Sequence, residues 1–441
     1  MHENRLVAGL DIGTTKVSCL IGTLNEYDHL EVLGYGSAPN EGVVRGLVTN
    51  IDKTADAIME AVRQAESKSG VDVKVVNVNL SGQFIRSSEQ RGNLTRPRRE
   101  EEIGVDEVAR LTNDMHRTVI PHGNRIIHVL AKNYVVDYEE GIKDPVGMTG
   151  ARLEADYHIV YSHVNAVNHI ERALKKAGLE MDEIVFSPLS SAMACLSEEE
   201  KEMGVALVDI GGGTTDISVF FDSVVRHTAV IPYGGNIVTS DIKTGCAVMG
   251  SQAEALKTRF GSAIAELTNL TDIISISGVR NRQPKELSVR NLSHIIEARM
   301  QEIIELVHGE LIASGFDDKL GAGIVITGGG AELKNLVQLF EFMTGQECRL
   351  GHPNDHLAKT AFEAVKLPTS STVVGLVLTG FRKLDQREQR YAELGLPNRQ
   401  RQDNHRETAL PNGQKGNFLS STLGKVKIFL TNDLDNNPNG F

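Results

Sequence analysis

Two short segments combine aspartate, glycine and threonine in a pattern that suits phosphate binding. The first reads Asp-Ile-Gly-Thr-Thr-Lys over residues 11–16, and the second reads Asp-Ile-Gly-Gly-Gly-Thr-Thr over residues 209–215. Tight glycine turns present backbone N–H groups to a phosphate without obstruction by side chains. Threonine hydroxyls add donors, and Lys16 adds a positive charge. The predicted phosphate-binding residues are Gly13, Thr14, Thr15, Lys16, Gly211, Gly212, Gly213, Thr214 and Thr215.

The aspartate that opens each segment is a candidate for a metal site. Asp11 and Asp209 each lie at the end of an apolar run that is typical of a buried strand. A carboxylate in that position can hold a hydrated Mg²⁺ beside bound phosphates. The alternative is a pair of β-hairpins whose turns simply need glycine. The recurrence of the same residue types in two places favours the binding interpretation.

A third glycine run, Gly328-Gly-Gly330, follows an apolar stretch and precedes a helix predicted over Glu332–Met343. Its N–H groups, together with those of Ala331 and the helix start, could face a nucleotide. The motif is weak alone, because an abrupt strand-to-helix turn would need the same glycines.

The elements around these segments predict a duplicated α/β architecture. Apolar runs at 6–10 and 17–21 predict two strands joined by a glycine turn, and residues 205–221 repeat that layout. Helical spacing over 51–65, with Asn50 as N-cap, predicts a helix. Residues 84–165 change to a polar, mixed pattern that predicts an inserted α+β subdomain.

Composition narrows the possible functions. The net charge of −12 argues against a protein that binds nucleic acid through its overall charge. No run approaches the roughly 18 apolar residues of a spanning helix, and the start of the chain lacks a signal-peptide layout. The four cysteines are too scattered for a zinc or disulfide framework. We therefore expect a cytoplasmic protein.

The three glycine loops together resemble those of the actin-like ATPase superfamily. The resemblance implies a two-lobed, ribonuclease H-type fold whose duplicated halves close over ATP and Mg²⁺, with residues 326–332 as the adenosine loop. It also implies that Glu254 and Lys257 lie near the ribose and adenine. By spacing alone, those two residues are exposed positions on an amphipathic helix.

Within that superfamily, four segments resemble the FtsA family of bacterial cell-division proteins: residues 81–86, 144–154, 231–241 and 295–299. The family resemblance implies a protein that polymerises on the membrane, anchors the FtsZ ring and recruits later divisome proteins. It places the FtsZ C-terminal tail near Arg299. The alternative is that Arg299 pairs with Glu302 or another acid on its own helix.

The resemblance also implies a division into subdomains. These are 1A (residues 1–83, 166–200 and 371–384), 1C (84–165), 2A (201–244 and 312–370) and 2B (245–311), then a flexible linker (385–415), an amphipathic helix (416–430) and a polar tail (431–441).

The helix predicted at 416–430 has the pattern of a membrane-surface helix. One face is apolar and the remainder carries lysines that attract anionic lipids. The predicted membrane-contacting residues are Phe418, Leu419, Leu423, Lys425, Val426, Lys427, Phe429 and Leu430. The alternative is a helix that docks on its own domain, which the long polar linker disfavours. We expect a peripheral protein on the inner face of the membrane at midcell.

Hydrolysis is expected to be slow or negligible. Several relatives carry a water-positioning glutamate where this chain has Ser187, and serine cannot act as a carboxylate base. Two other functions stay open at this point: an inner-membrane pilus or secretion scaffold of the PilM type, and a small-molecule kinase of the same superfamily. A heat-shock-type chaperone is less favoured, because no substrate domain follows.

Overall fold

The N-terminal strands form a hairpin that continues into a five-stranded sheet. The chain is described here by a computed structural model, which covers residues 5–276, 284–360 and 362–393. The first elements are β1 (Val7–Ile12), β2 (Lys16–Leu24), β3 (Leu30–Pro39), β4 (Val43–Val44), β5 (Leu47–Val48), α1 (Ile51–Ser69) and β6 (Val75–Leu80). The predicted hairpin is confirmed as β1 and β2, which pair antiparallel. The side chain of Asn50 caps α1, as predicted, by accepting from the Lys53 N–H at 3.0 Å.

The predicted α+β insertion is confirmed and has its own sheet. Its elements are β7 (Arg86–Thr95), α2 (Val105–Met115), β8 (Asn124–Val136), β9 (Glu139–Ile142) and β10 (Arg152–His163), with strand order β7-β10-β8-β9. Leu111 and Met115 of α2 pack on the buried Tyr157 of β10 in a separate small core. The insertion therefore buries its own hydrophobic face.

The chain then returns to the first sheet. The elements that follow are α3 (Val164–Lys176), β11 (Glu180–Phe186), α4 (Ser187–Cys195) and α5 (Glu198–Met203). β11 pairs in parallel with β6 and completes the order β11-β6-β1-β2-β3. Helices α1 and α3 supply the apolar side chains that cover one face of this sheet.

The second half repeats the first. Its elements are β12 (Val205–Ile210), β13 (Thr215–Phe221), β14 (Val224–Ile231), α6 (Gly235–Gly245), α7 (Gly250–Phe260), β15 (Ile273–Ile276), β16 (Lys285–Ser288), α8 (Val289–Ser314), β17 (Ile324–Thr327), α9 (Leu336–Thr344) and β18 (Cys348–Leu350). The helix that follows, α10 (Ser371–Glu393), returns to the first half, where Val373 and Val377 lie against Gly9 of β1. The main sheet of the second half has the order β18-β17-β12-β13-β14, with the same parallel and antiparallel pairings as the first sheet. The predicted duplication is confirmed.

Two helices differ from the prediction. The helix expected from Glu332 begins only at Leu336, because the Lys334 carbonyl accepts from the Ala263 N–H at 2.8 Å and Asn335 is left-handed. Residues 329–332 form a single 3₁₀ turn instead. The last described helix, α10, continues into residues 385–393, where the linker was expected to begin. Its glutamine, glutamate and arginine residues there are good helix formers.

Helices α4 and α10 cross in close backbone contact. A Cβ placed on the buried Gly375 of α10 would overlap the carbonyl oxygen of Ser190 in α4. This contact brings the start of α10 beside β12 and the second glycine turn. Among the described residues, no helix is both long enough and apolar enough to cross a membrane.

We predict opposite effects for two Gly→Ala substitutions in helices. Gly309→Ala, on the exposed side of α8 with open space around it, should raise the free energy of unfolding by about 1 kcal/mol through helix propensity. Gly375→Ala should lower it by roughly 1–3 kcal/mol, because the added methyl group has no room. Urea unfolding of both variants measures the difference. A stabilised Gly375→Ala protein would contradict the close crossing of α4 and α10.

Candidate nucleotide-binding site

The two predicted phosphate segments face each other across one cleft. A Cβ on Gly212 would lie 2.5 Å from Thr15 Cγ2, and one on Gly213 would lie 2.6 Å from Thr14 Oγ1. Larger residues at these two positions would therefore push the halves apart. The cleft is lined by Asp11, Ile12, Gly13, Thr14, Thr15, Lys16, Gly46, Asn79, Ser81, Ser187, Asp209, Gly211, Gly212, Gly213, Thr214, Asp216, Gly328, Gly329, Pro368, Thr369 and Thr372.

Backbone hydrogen bonds fix both glycine turns. The Gly13 N–H donates to the Lys16 carbonyl at 3.0 Å, and the Gly211 N–H donates to the Thr214 carbonyl at 2.9 Å. The buried Asn40 supports the first turn by donating from Nδ2 to the Gly13 carbonyl at 2.8 Å. The two turns are thus built alike, as the repeated sequence predicts.

Asp11 and Asp209 accept hydrogen bonds from neutral donors. Asn79 Nδ2 donates to Asp11 Oδ1 at 2.7 Å. Ser191 Oγ of α4 and Thr372 Oγ1 of α10 donate to Asp209 Oδ2 at 2.6 and 3.2 Å. These donors fix the orientation of both carboxylates without neutralising them.

A third carboxylate, that of Asp216, completes the cleft. The β12–β13 register places Asp216 directly opposite the buried Asp209. Ser81, which follows β6 in the first half, donates to Asp216 at 2.7 Å, and Thr214 Oγ1 donates to it at 3.3 Å. The Ser81 hydrogen bond therefore joins the two halves across the cleft.

The cleft resists ionisation of its carboxyl groups. Loss of solvent raises the pKa of Asp11 to about 7, although Lys16 favours the ionised form. Burial raises the pKa of Asp216 to about 8 despite the Ser81 hydrogen bond, and repulsion from Asp209 adds to the effect. Burial also raises the pKa of Asp209. A bound cation would reverse these shifts by favouring the charged forms.

The donor set fits a hydrated magnesium ion. Within the described ranges, no group of three or more His, Cys, Asp or Glu side chains is arranged to ligate a metal directly. Mg²⁺ usually keeps several of its waters and binds proteins through one or two carboxylates. Asp11 and Asp209 are held in place by neutral donors that leave their negative charge uncompensated. Both carboxylates can therefore contact a magnesium ion through its bound waters.

The third loop places two of its four predicted residues along the cleft. Gly328 and Gly329 line the cleft, whereas Gly330 packs against Ile210 and Ala331 is buried. Gly328 has φ +83°, and a Cβ there would overlap Asp209 Oδ1, so only glycine fits.

One predicted residue of the second segment lies behind the cleft wall. Thr215 is buried outside the lining, where its Oγ1 donates to the Tyr233 carbonyl at 2.9 Å.

Residues 206–375 match the family model "Cell division protein FtsA", and residues 82–161 match "SHS2 domain inserted in FTSA". The FtsA proteins of Pseudomonas aeruginosa and Neisseria meningitidis are 39% and 36% identical over 383 and 377 residues. Those alignments cover 87% and 85% of this chain, and 91% and 90% of the relatives. This chain belongs to the FtsA family. It is a bacterial cell-division protein.

Solved structures identify the fold of this FtsA-family chain as actin-like. The PilM–PilN type IV pilus biogenesis complex matches with a TM-score of 0.61 and 16% identity, covering 85% of this chain and 98% of the other. MreB5 of Spiroplasma citri, solved with ADP, matches with a TM-score of 0.50 and 15% identity, covering 87% and 98%. These likenesses establish the fold alone.

Glu254 and Lys257 lie outside the residues that line the cleft. Lys257 Nζ pairs with Glu254 at 2.8 Å and donates to the Gly235 carbonyl and to Thr239 Oγ1 at 3.0 and 2.9 Å. The Gly235 N–H in turn donates to the Gly211 carbonyl at 2.9 Å. Gly235 thus links the Glu254–Lys257 pair to the second glycine turn.

Arg299 lies in α8 and is already ion-paired. Its Nε donates to Asp241 of α6 at 2.6 Å, and Nη1 pairs with Glu302 of its own helix. The partner on its own helix is the one that the alternative interpretation named. Asp241 is an additional partner from another helix.

Sequence reasoning missed several residues of the cleft. Asp216 was detectable, because a tight turn after Asp209 fixes the residue that lies opposite it. Asn79 and Ser81 were also detectable in principle, since strands parallel to β1 end at the same edge of the sheet. Thr372 comes from the last described helix and carried no signal. The predicted membrane helix at 416–430 lies outside the described residues.

Proposed function

We propose that this FtsA-family protein binds ATP with Mg²⁺ in the cleft between its halves. The observation that carries the proposal is the set of three carboxylates, Asp11, Asp209 and Asp216, facing two glycine turns that are rich in N–H and hydroxyl donors. The three carboxylates favour a bound cation, and the N–H and hydroxyl donors of the turns favour a bound anion. A magnesium nucleotide supplies both. The ADP-bound state of the MreB5 neighbour supports the proposal.

The phosphates would lie between the two turns, where Lys16 provides charge and Thr14 and Thr214 provide hydroxyl groups. Asp11 and Asp209 would hold the water shell of Mg²⁺. The nucleotide would act as a structural ligand that stabilises the closed state of the halves, and this state is the one that polymerises.

Turnover is proposed to be slow. Ser187 lines the cleft and accepts from Asn79 Nδ2 at 3.2 Å. A neutral hydroxyl therefore occupies the position at which several relatives carry the water-positioning glutamate. Such a group cannot take a proton from water as a carboxylate would. ATP hydrolysis by the purified protein above roughly one turnover per second would contradict this proposal.

Titration calorimetry with Mg·ATP tests the nucleotide proposal. The wild-type chain should bind, and Lys16→Ala should weaken binding by roughly tenfold or more, because a charge-assisted contact to phosphate is lost. Lys53→Ala is the matched control, since Lys53 is exposed on α1 and pairs with Glu41 away from the cleft. Chelation of Mg²⁺ should weaken binding as well. No binding by the wild type would refute the proposal.

We further propose that the protein anchors FtsZ by binding its acidic C-terminal tail near Arg299. The ion pairs of Arg299 qualify this proposal, because an incoming carboxylate must compete with Asp241 and Glu302. Bidentate recognition by the guanidinium then depends on displacing at least one of them.

Co-sedimentation with an FtsZ tail peptide should respond in both directions. Arg299→Glu should weaken binding by about tenfold, whereas Asp241→Asn should strengthen it, because the guanidinium loses a competitor. Arg290→Glu is the matched control, since Arg290 lies on the opposite side of the same helix and pairs with Glu266. Equal binding by all four proteins would exclude Arg299 from the site.

The segment 416–430 is proposed to attach the protein to anionic membranes. One such segment binds weakly, and polymerisation would add avidity by bringing many copies to the same membrane. In sedimentation with anionic vesicles, the full chain should pellet with the vesicles, whereas a chain that ends at residue 415 should stay in the supernatant. Lys425→Glu combined with Lys427→Glu should reduce retention. The absence of vesicle binding by the full chain would contradict membrane attachment.

The two alternative functions are less well supported. The PilM likeness is one of fold at 16% identity, whereas the FtsA relatives share 36–39% identity over most of the chain. A kinase needs an acid or base for its second substrate, whereas Asp11 and Asp209 are proposed to hold the water shell of Mg²⁺. Phosphoryl transfer to small substrates would revive the kinase interpretation.

A further inference from the structure

The tip of a short hairpin is placed at the mouth of the cleft. Strands β4 and β5 are joined by Arg45 and Gly46. The Gly46 N–H donates to Thr14 Oγ1 of the first phosphate turn at 3.3 Å. A Cβ on Gly213 of the second turn would lie 3.0 Å from the Cα of Arg45. The hairpin tip therefore touches both phosphate turns.

The backbone at Arg45 does not favour arginine. Its φ is +49°, and Gly46 follows at φ +75°, the conformation of a two-residue turn that asparagine, aspartate and glycine prefer. A side chain with a Cβ costs free energy in the left-handed region unless it bonds locally, as asparagine does. Arginine at this position therefore has no explanation in the hairpin itself.

The guanidinium of Arg45 is available for a ligand. Arg45 is exposed, and across the described part of the chain no carboxylate pairs with it. It lies 6.0 Å from the ring centroid of Tyr233, which belongs to the other half of the molecule. A cation–π contact at an exposed site is weak enough for a phosphate to displace it.

The charge balance of the proposed site calls for a second basic side chain. Of the described residues that line the cleft, the charged ones are three aspartates and one lysine, Lys16. Even with one Mg²⁺, the negative charges of those aspartates and a triphosphate outnumber the positive ones. Arg45 is adjacent in the chain to the cleft-lining Gly46, and its rotatable side chain can turn toward the phosphates.

We propose that Arg45 recognises the terminal phosphate of the bound nucleotide and so distinguishes a triphosphate from a diphosphate. The proposal rests on the proposed nucleotide site and goes beyond it by naming the residue that senses the terminal phosphate. Without that phosphate, the guanidinium stays on Tyr233. With it, the planar donor fork bonds the terminal oxygens from the mouth of the cleft.

Titration calorimetry of Mg·ATP and Mg·ADP against four proteins tests this proposal. Arg45→Asn removes the charge and suits the left-handed backbone, so it should fold. It should weaken Mg·ATP binding by about tenfold and Mg·ADP binding by less than about threefold. Arg45→Lys should fall between Arg45→Asn and the wild type. Arg117→Ala, an exposed residue of the insertion, is the control and should match the wild type.

The outcomes are distinct. Equal loss of ATP and ADP affinity in Arg45→Asn, or no loss of either, would overturn the role of Arg45 while leaving the nucleotide site intact. Failure of the wild-type protein to bind both nucleotides would overturn the proposed function together with this inference. Thermal unfolding of Arg45→Asn with a midpoint at or above that of the wild type would show that the variant is folded.

Discussion

The three carboxylates enclosed between the halves impose the constraint on which the rest of this structure depends. Asp209 and Asp216 are buried and lie opposite each other on adjacent strands. The carboxylate of Asp11 also repels that of Asp216 and helps to raise its pKa. Like charges so arranged destabilise a sheet unless donors or a cation compensate them. Because their pKa values are raised, the folded chain binds more protons than the unfolded chain between about pH 4 and pH 8. Their contribution to stability therefore falls as the pH rises through that range.

The same constraint ties the cleft to the packing between the halves. Asp209 is held by Ser191 of α4 and Thr372 of α10, and these two helices cross in backbone contact at Gly375. The residues that orient the carboxylate thus belong to the helices that join the halves. A ligand that changes the charge at Asp209 acts directly on that junction, which gives nucleotide binding a physical route to the closed state.

Much of the fold and part of the cleft could be predicted from the sequence. The two glycine segments follow apolar strands, so their position in turns at the strand ends could be predicted from the local pattern. The two duplicated sheets confirm this position. Asn79 and Ser81 escaped prediction because they are near neighbours of Asp11 and Asp216 in space but not in sequence. The late start of α9 depends on a hydrogen bond from Ala263 to Lys334, which no local propensity encodes. The ion pair of Arg299 with Asp241 is likewise tertiary.

Proton release on Mg·ATP binding tests the central claim most directly. If hydrated Mg²⁺ is held by Asp11 and Asp209, the carboxyl group of Asp11, whose pKa is raised to about 7, must ionise when the metal nucleotide binds. Calorimetry near pH 7, with excess Mg²⁺ and buffers of different ionisation enthalpy, should show net proton release that Asp11→Asn reduces. Binding of Mg·ATP without proton exchange, or with proton uptake, would contradict a magnesium nucleotide at these carboxylates.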